Sequence, residues 1–194
     1  MGVIYMAKII NLKSEYEERA YSARADELIS ESALKEIKSN EEHCVFISHK
    51  SDDKEEARKI ANYLKNDIGV DIYLDEFDYF LNQATGNGDS EKVVKIIKNA
   101  IGTSTHLLSL VSSKTKMSWW VPYEIGIADE KNRDIASLKL AKAEGIPEFL
   151  EIKTCLQDER EFVNYYEKLK SGRTLFLETN RNFQYKAELN NILD

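Results

Sequence analysis

The chain has 194 residues and a formal net charge of −7, and its 42% hydrophobic and 31% charged residues are typical of a globular protein. It contains no run of about 18 apolar residues, the length that a membrane-spanning helix needs. Because the charge is acidic and no Lys/Arg-rich segment stands out, we expect neither nucleic-acid binding nor membrane insertion. The N-terminus has no long apolar region with a cleavage site, which favours a cytoplasmic protein.

The N-terminal residues predict a helical extension in front of the main domain. Residues 14–39 are rich in Glu, Ala, Lys and Leu and contain neither Gly nor Pro, while Ser14 and Glu17 have the spacing of a capping box. We therefore predict an extension over residues 1–40 and one domain over residues 41–194.

From residue 44 onward, short apolar runs alternate with amphipathic segments. The patterns predict strands at 44–48, 70–74 and 106–111, and helices at 54–66, 90–101 and 119–130. Asp52 or Asp53 is expected to cap the first of these helices, and Gly69 to end it. Residues 75–89 read as a long polar connection with Gly86 and Gly88 as hinges, and long connections of this kind are often lids or binding loops.

The pattern is weaker after residue 134. Residues 135–141 fit a strand or a short helix, 147–152 and 154–157 are short strand candidates, and 158–171 form a clear helical pattern followed by Gly172. Alternating strands and helices indicate an α/β domain whose central parallel sheet carries helices on both faces. Right-handed crossovers then favour a flavodoxin-like layout.

Several chemical signatures are missing from the sequence. There is no complete dinucleotide fingerprint, no phosphate-binding loop, no metal-ligand spacing of His and Cys, and no nucleophile elbow of a serine hydrolase. We therefore expect no protein-bound metal. Cys44 and Cys155 lie in separate apolar stretches, which predicts two buried thiols rather than a disulfide.

Polar residues follow three of the predicted strands. Ser48, His49 and Lys50 come at the end of the first, Asp75 after the second and Ser113 after the third. The carboxyl ends of parallel strands form the crevice where ligands bind, so these residues are placed where a site is expected. Taken singly, Asp75 is also explained as the start of a turn, and the neighbouring Ser51 and Asp52 as caps of the next helix.

Three segments resemble the motifs of a Toll/interleukin-1 receptor (TIR) domain. They are VFISHKSDDKEEARKIANYL, DIYLDE and SWWVPYEIGIA, which follow one another in the family's order over residues 42–131. The last segment contains WxxxE, from Trp120 to Glu124. The resemblance implies a flavodoxin-like TIR fold. The chain also resembles the stand-alone bacterial TIR proteins of Thoeris-type anti-phage systems.

In the enzymatic branch of this family, the glutamate of WxxxE is the catalytic residue that cleaves the nicotinamide glycosidic bond of NAD, and the matching residue here is Glu124. Departure of nicotinamide leaves an oxocarbenium-like ribose, which a fixed carboxylate can stabilise. Trp120 lies one helical turn before Glu124 on the same face, where it could line the pocket or, alternatively, support the helix as a core aromatic. NAD is then a substrate, and no cofactor is expected.

The position of Ser48, Asp75 and Ser113 at the strand ends predicts substrate-binding roles for these residues. His49 and Lys50 stand where family members often carry Tyr and Arg, so contacts with ribose or phosphate are implied with different side chains. The alternative is an exposed lysine and a loop histidine without a binding role. Segment 75–89 matches the family's BB loop in position but is longer and more acidic than its usual form.

Two functions from different classes follow from the resemblance. The first is an NAD nucleosidase or ADP-ribosyl cyclase type of enzyme that self-associates through TIR–TIR contacts and signals to a separate effector protein. The second is a non-enzymatic TIR assembly adaptor, and a bacterial effector that interferes with host TIR signalling is a further alternative. The intact glutamate favours the enzyme. Its product, whether ADP-ribose, a cyclic isomer or a conjugate, depends on the nucleophile that attacks the ribose and stays open.

Overall fold

The computed structural model describes residues 43–141 and 143–171. The predicted helical extension over 1–40 and the end of the predicted domain after residue 171 lie outside the described residues. Among the helices that are described, none has the length and apolar composition needed to cross a bilayer.

A five-stranded sheet forms the centre of the described region. All of its pairings are parallel, and the strand order is β2-β1-β3-β4-β5. This is the doubly wound order of flavodoxin-like proteins, as predicted. The strands are β1 (Cys44–Ser48), β2 (Asp71–Tyr73), β3 (His106–Val111), β4 (Asp134–Lys139) and β5 (Thr154–Leu156).

Six α-helices of the described region connect and cover these strands. They are α1 (Lys54–Tyr63), α2 (Tyr79–Gly86), α3 (Ser90–Thr103), α4 (Trp120–Glu130), α5 (Glu148–Glu151) and α6 (Glu159–Ser171).

The side chains of the strands alternate between two hydrophobic cores, one on each face of the sheet. In β1, Val45 and Ile47 point into the cluster that contains residues of α1 and α6, whereas Phe46 points into the cluster that contains residues of α2 to α5. Successive side chains of a strand face opposite sides, so an unbroken apolar strand needs a helical layer on both. The prediction of helices on both faces is confirmed.

The connection over residues 75–89 is not the long loop that the sequence suggested, because it contains helix α2. Asp78 caps this helix: its Oδ1 accepts from the Leu81 amide at 2.9 Å and its Oδ2 accepts from the Tyr73 hydroxyl at 2.8 Å. Leu81 and Ala84, three residues apart, are its buried positions. The helix was not predicted because the segment is polar and only two of its side chains pack into the core.

Two further predictions in the second half of the domain are decided by the structure. Residues 135–141, which fitted either a strand or a helix, contribute β4. The strand predicted at 147–152 is wrong, because Glu148–Glu151 form the one-turn helix α5, which follows Pro147 and buries Leu150. Proline has a backbone angle suited to a helix start, and Pro147 directly precedes the first residue of α5.

The ends of α1 correct one capping prediction and confirm another. Asp53 precedes the helix, but its side chain makes no capping hydrogen bond. After α1, a wide turn over Leu64–Ile68 ends at Gly69, whose φ of +84° is the left-handed conformation that glycine tolerates best. Its amide donates to the Leu64 carbonyl at 2.9 Å.

The two thiols are free, but only one of them is buried. Cys44 lies in the inner strand β1, as predicted. Cys155 is half-buried, and the prediction for it is wrong because β5 is the edge strand of the sheet.

Candidate active site

A buried hydrogen bond joins the end of β1 to helix α4. The Ser48 hydroxyl donates to Glu124 Oε2 at 2.6 Å, across 76 positions of sequence. Glu124 is only 6% exposed, so a carboxylate in this position depends on the donors around it. The structure thus brings together the predicted catalytic residue and the first of the predicted binding residues.

The sequence around Trp120 explains how Glu124 reaches this place. Ser118 accepts a hydrogen bond from the Val121 amide at 3.3 Å, and Pro122, which has no amide hydrogen to satisfy, lies in the first turn. The helix begins at Trp120, one residue later than predicted. Val121 and Ile125 pack into the core on either side of Glu124 and fix the rotation of the helix.

The protein environment disfavours the charged form of Glu124. Burial raises its pKa to about 8, the Ser48 hydrogen bond opposes this increase, and the negative charge of Asp75 adds to it. The carboxyl group is therefore mostly protonated at neutral pH until a positive charge approaches. A buried acid with a shifted pKa at the carboxyl edge of a parallel sheet is a common feature of functional sites.

Asp75 and His49 form a second pair beside Glu124. Asp75 follows β2, and its Oδ1 lies 3.7 Å from His49 Nε2. His49 is buried, and its Nδ1 lies 3.4 Å from the Ile47 carbonyl. Burial raises the pKa of the Asp75 carboxyl, while His49 and the Glu76 backbone amide lower it. Four of the predicted site residues thus meet where β1, β2 and α4 approach one another.

The other predicted binding residues are not drawn into this cluster. Lys50 forms an ion pair with the neighbouring Asp52. Ser113 is exposed on the segment after β3. Trp120 is 43% exposed and makes an edge-to-face contact with Tyr123 at 5.9 Å between ring centroids, so it is not the core aromatic that was one alternative for it.

Sequence reasoning missed a polar network that links two loops of the site. The buried carboxylate of Asp53 accepts from the Ser112 hydroxyl at 2.6 Å, and Lys114 Nζ lies 3.6 Å from its other oxygen. Asp53 was predicted only as a helix cap, since an acidic residue before a helix ordinarily has that role. The network connects the loop that carries His49 and Lys50 with the segment leading to α4.

Tyr73 is a second residue that sequence reasoning missed. Its ring stacks on Phe46 at 5.0 Å between ring centroids, and its hydroxyl donates to Asp78. Burial raises its pKa well above the usual value, and the charges of Asp78, Asp75 and Glu124 contribute in the same direction. Tyr73 was read only as part of an apolar strand, and no signal in the sequence separates it from an ordinary core aromatic.

A groove of about 610 Å³ is lined by residues of α3 and α4 and by Lys131, and none of the predicted site residues lines it. Its lining includes Lys98, Tyr123 and Lys131. Within residues 43–141 and 143–171, no three His, Cys, Asp or Glu side chains are arranged to hold a metal ion.

A family model described as "TIR domain" matches residues 45–170. The chain belongs to the TIR domain family. The match extends well past residue 131, where the recognisable motifs ended, and takes in β4, β5 and α6 of this TIR domain. The resemblance that the three motifs suggested is therefore confirmed.

A curated relative of this TIR domain is named "Probable 3' cyclic ADP-D-ribose synthase ThsB'" and comes from Bacillus cereus (strain MSX-D12). The two proteins are 24% identical over 115 residues, which is 59% of this chain and 58% of the relative. The matched segment thus spans little more than half of that protein. Its printed name concerns a cyclic ADP-ribose product, one of the product classes left open above.

The buried position of Glu124 predicts a pH-dependent effect on stability. A carboxyl group whose pKa is raised on folding has no effect on stability below its unfolded pKa of about 4.5, because it is protonated in both states. As the pH rises towards 8, the free energy of unfolding decreases, because the group ionises more readily in the unfolded chain. Glu124→Gln removes this titration. We expect its melting temperature, relative to the wild type, to increase between pH 5 and pH 9, with a free-energy change of at most about 1.4 kcal/mol per pH unit.

Calorimetry of both proteins at pH 5, 7 and 9 measures this difference. Glu130→Gln, an exposed position on the same helix, is the control, and its difference from the wild type is expected to stay constant. A constant difference for Glu124→Gln as well would mean that Glu124 is not a buried acid.

Proposed function

We propose that this TIR domain cleaves the bond between nicotinamide and ribose in NAD, with Glu124 as the catalytic carboxylate. The observation that carries the proposal is the buried Ser48–Glu124 hydrogen bond at the carboxyl edge of the sheet. Family membership and the printed name of the relative from Bacillus cereus support it. As the bond breaks, positive charge develops on the ribose, and a carboxylate held nearby stabilises it.

The raised pKa of Glu124 fits a substrate that carries a positive charge. The nicotinamide ring of NAD is a pyridinium cation, and a cation next to a carboxyl group favours the ionised form. Binding would therefore lower the pKa of Glu124 and produce the carboxylate where it is needed. Nicotinamide departs as a neutral molecule, so its departure requires no general acid.

We propose further that the product is a cyclic or conjugated ADP-ribose that acts as a signal in anti-phage defence and is sensed by a separate effector protein. The printed name of the relative supports a cyclic product. We propose that His49 in this cluster, and Lys50, Ser113 and Trp120 outside it, contact the ribose or phosphates of the substrate.

Substitution of Glu124 and Ser48 tests the catalytic role. Glu124→Gln keeps the size of the side chain but removes its charge, and we expect nicotinamide release to fall at least ~100-fold. Ser48→Ala removes the hydrogen bond that lowers the pKa of Glu124. We expect the rise of kcat/KM with pH, which reports the free enzyme, to shift to higher pH in this variant.

Chromatography of nicotinamide, with mass spectrometry of the ADP-ribosyl products, measures both effects. Ser51→Ala, an exposed serine three residues further along the same loop, serves as the control and is expected to keep the wild-type pH profile. Unchanged release by Glu124→Gln would refute the catalytic role. No turnover by the wild type at any protein concentration would favour the assembly adaptor.

Self-association is proposed to involve the exposed apolar surface beside the start of α4. Trp119 is 92% exposed there, close to the exposed Met117 and Trp120. Contiguous exposed apolar side chains mark interaction sites, and Trp is enriched among the residues that dominate interface energetics.

We expect activity per molecule to rise with protein concentration, and Trp119→Ser to weaken this dependence. Nicotinamide release over a dilution series measures it. Ile152→Ser removes an equally apolar side chain, 80% exposed, from the segment between α5 and β5 and is expected to behave as the wild type. Constant activity per molecule across the dilution series would contradict the proposed self-association.

A further inference from the structure

The proposed reaction has two steps, of which the first breaks a bond and the second forms one. The steps differ in whether a proton must be removed. In the first, the bond between ribose C1′ and the nicotinamide nitrogen breaks, and both electrons leave with nicotinamide. In the second, a nucleophile attacks C1′. If the nucleophile is water or a sugar hydroxyl, its proton must be removed as the C1′–O bond forms, whereas a pyridine nitrogen attacks with its lone pair and loses no proton.

Glu124 already has another task when this proton is released. Its Oε2 accepts a hydrogen bond from the Ser48 hydroxyl at 2.6 Å, and its negative charge is the one proposed to stabilise the ribose cation. The carboxylate that stabilises the ribose cation also loses this effect if it becomes protonated before the second step is complete. A second base in the site would separate the two tasks.

Asp75 is the other carboxylate of the cluster and has two different sides. Its Oδ1 is buried, lies 3.7 Å from His49 Nε2, and has no hydrogen-bond partner among the described residues. The side chain as a whole is 41% exposed, so its other atoms are accessible to solvent. Its charge also acts on Glu124, which places both groups in one electrostatic environment.

We propose that Asp75 is the proton acceptor for a hydroxyl nucleophile in the second step, an inference that rests on the proposed NAD cleavage. The hydroxyl oxygen forms the C1′–O bond with its lone pair, its proton passes to the Asp75 carboxylate, and the resulting carboxylic acid later releases that proton to solvent. The neighbouring imidazole of His49 faces the buried oxygen throughout. Burial raises the pKa of Asp75, which makes the carboxylate a stronger base than an exposed aspartate.

Two competing nucleophiles separate this role from the first step. The full-length chain is incubated with NAD and 3-acetylpyridine, and both the hydroxyl-derived products and the 3-acetylpyridine dinucleotide are measured by chromatography and mass spectrometry. For Asp75→Asn we expect the rate of hydroxyl-derived products to fall at least ~100-fold, the usual contribution of a general base. We expect the pyridine exchange to stay within about threefold of the wild-type rate.

Glu76→Gln is the matched control, since it removes a carboxylate from the same turn that is paired with Arg58. We expect it to keep both reactions, while Glu124→Gln loses both. If melting shows that Asp75→Asn is unfolded, the Asp75→Ala variant is measured instead, with and without added formate. We expect formate to restore the hydroxyl-derived products without changing the rate of pyridine exchange.

Retention of the hydroxyl-derived products by a folded Asp75 variant would overturn the inference. Equal loss of both reactions in a folded variant would do the same, because Asp75 would then act in binding or in the first step. A wild-type chain that makes neither product would overturn the proposed function itself, and the two failures are therefore distinguishable.

Discussion

The hydrogen bond from Ser48 to Glu124 is the contact on which the candidate site depends. It ties the last residue of β1 to the second turn of α4, and it is the only hydrogen bond that stabilises the buried carboxylate among those found for the described residues. Without a donor, an ionised carboxylate in this position would bear most of its desolvation cost uncompensated. With one short bond, the group is held near the boundary between its neutral and ionised forms. The positive charge of a cationic substrate would then favour the ionised form of Glu124.

The topology of the sheet explains why these residues meet. Strand β1 lies between β2 and β3, so its carboxyl end has neighbours on both sides. Asp75 follows β2, the Ser112 segment follows β3, and α4 returns from that segment to place Glu124 beside Ser48. The same arrangement gives the site two carboxyl groups with different surroundings. Glu124 is buried and hydrogen-bonded to a hydroxyl, whereas Asp75 is partly exposed and lies beside an imidazole. Different surroundings allow the two acids to have different tasks.

Much of the fold and part of the site could be predicted from the sequence. The apolar strand 44–48 and the helical spacing of Ala57, Ile60 and Ala61 determine their elements directly, because both faces of the sheet need apolar cover. Helix α2 and helix α5 were missed, since each buries only one or two side chains and gives almost no periodic signal. The role proposed for Glu124 came from the family resemblance that the WxxxE motif carries. Its burial and the Asp53–Ser112 network depend on contacts between distant segments, which no local pattern encodes.

The most direct test of this account is the pKa of Glu124 itself. Carbon-13 NMR of the side-chain carboxyl carbons, assigned with Glu124→Gln, follows its titration in the free protein and in the presence of carbocyclic NAD. This analogue keeps the pyridinium charge but cannot form the oxocarbenium ion. We predict a pKa of about 8 in the free protein and a clear decrease when the analogue is bound. A pKa near the ordinary 4.5, or one that the bound cation leaves unchanged, would contradict it.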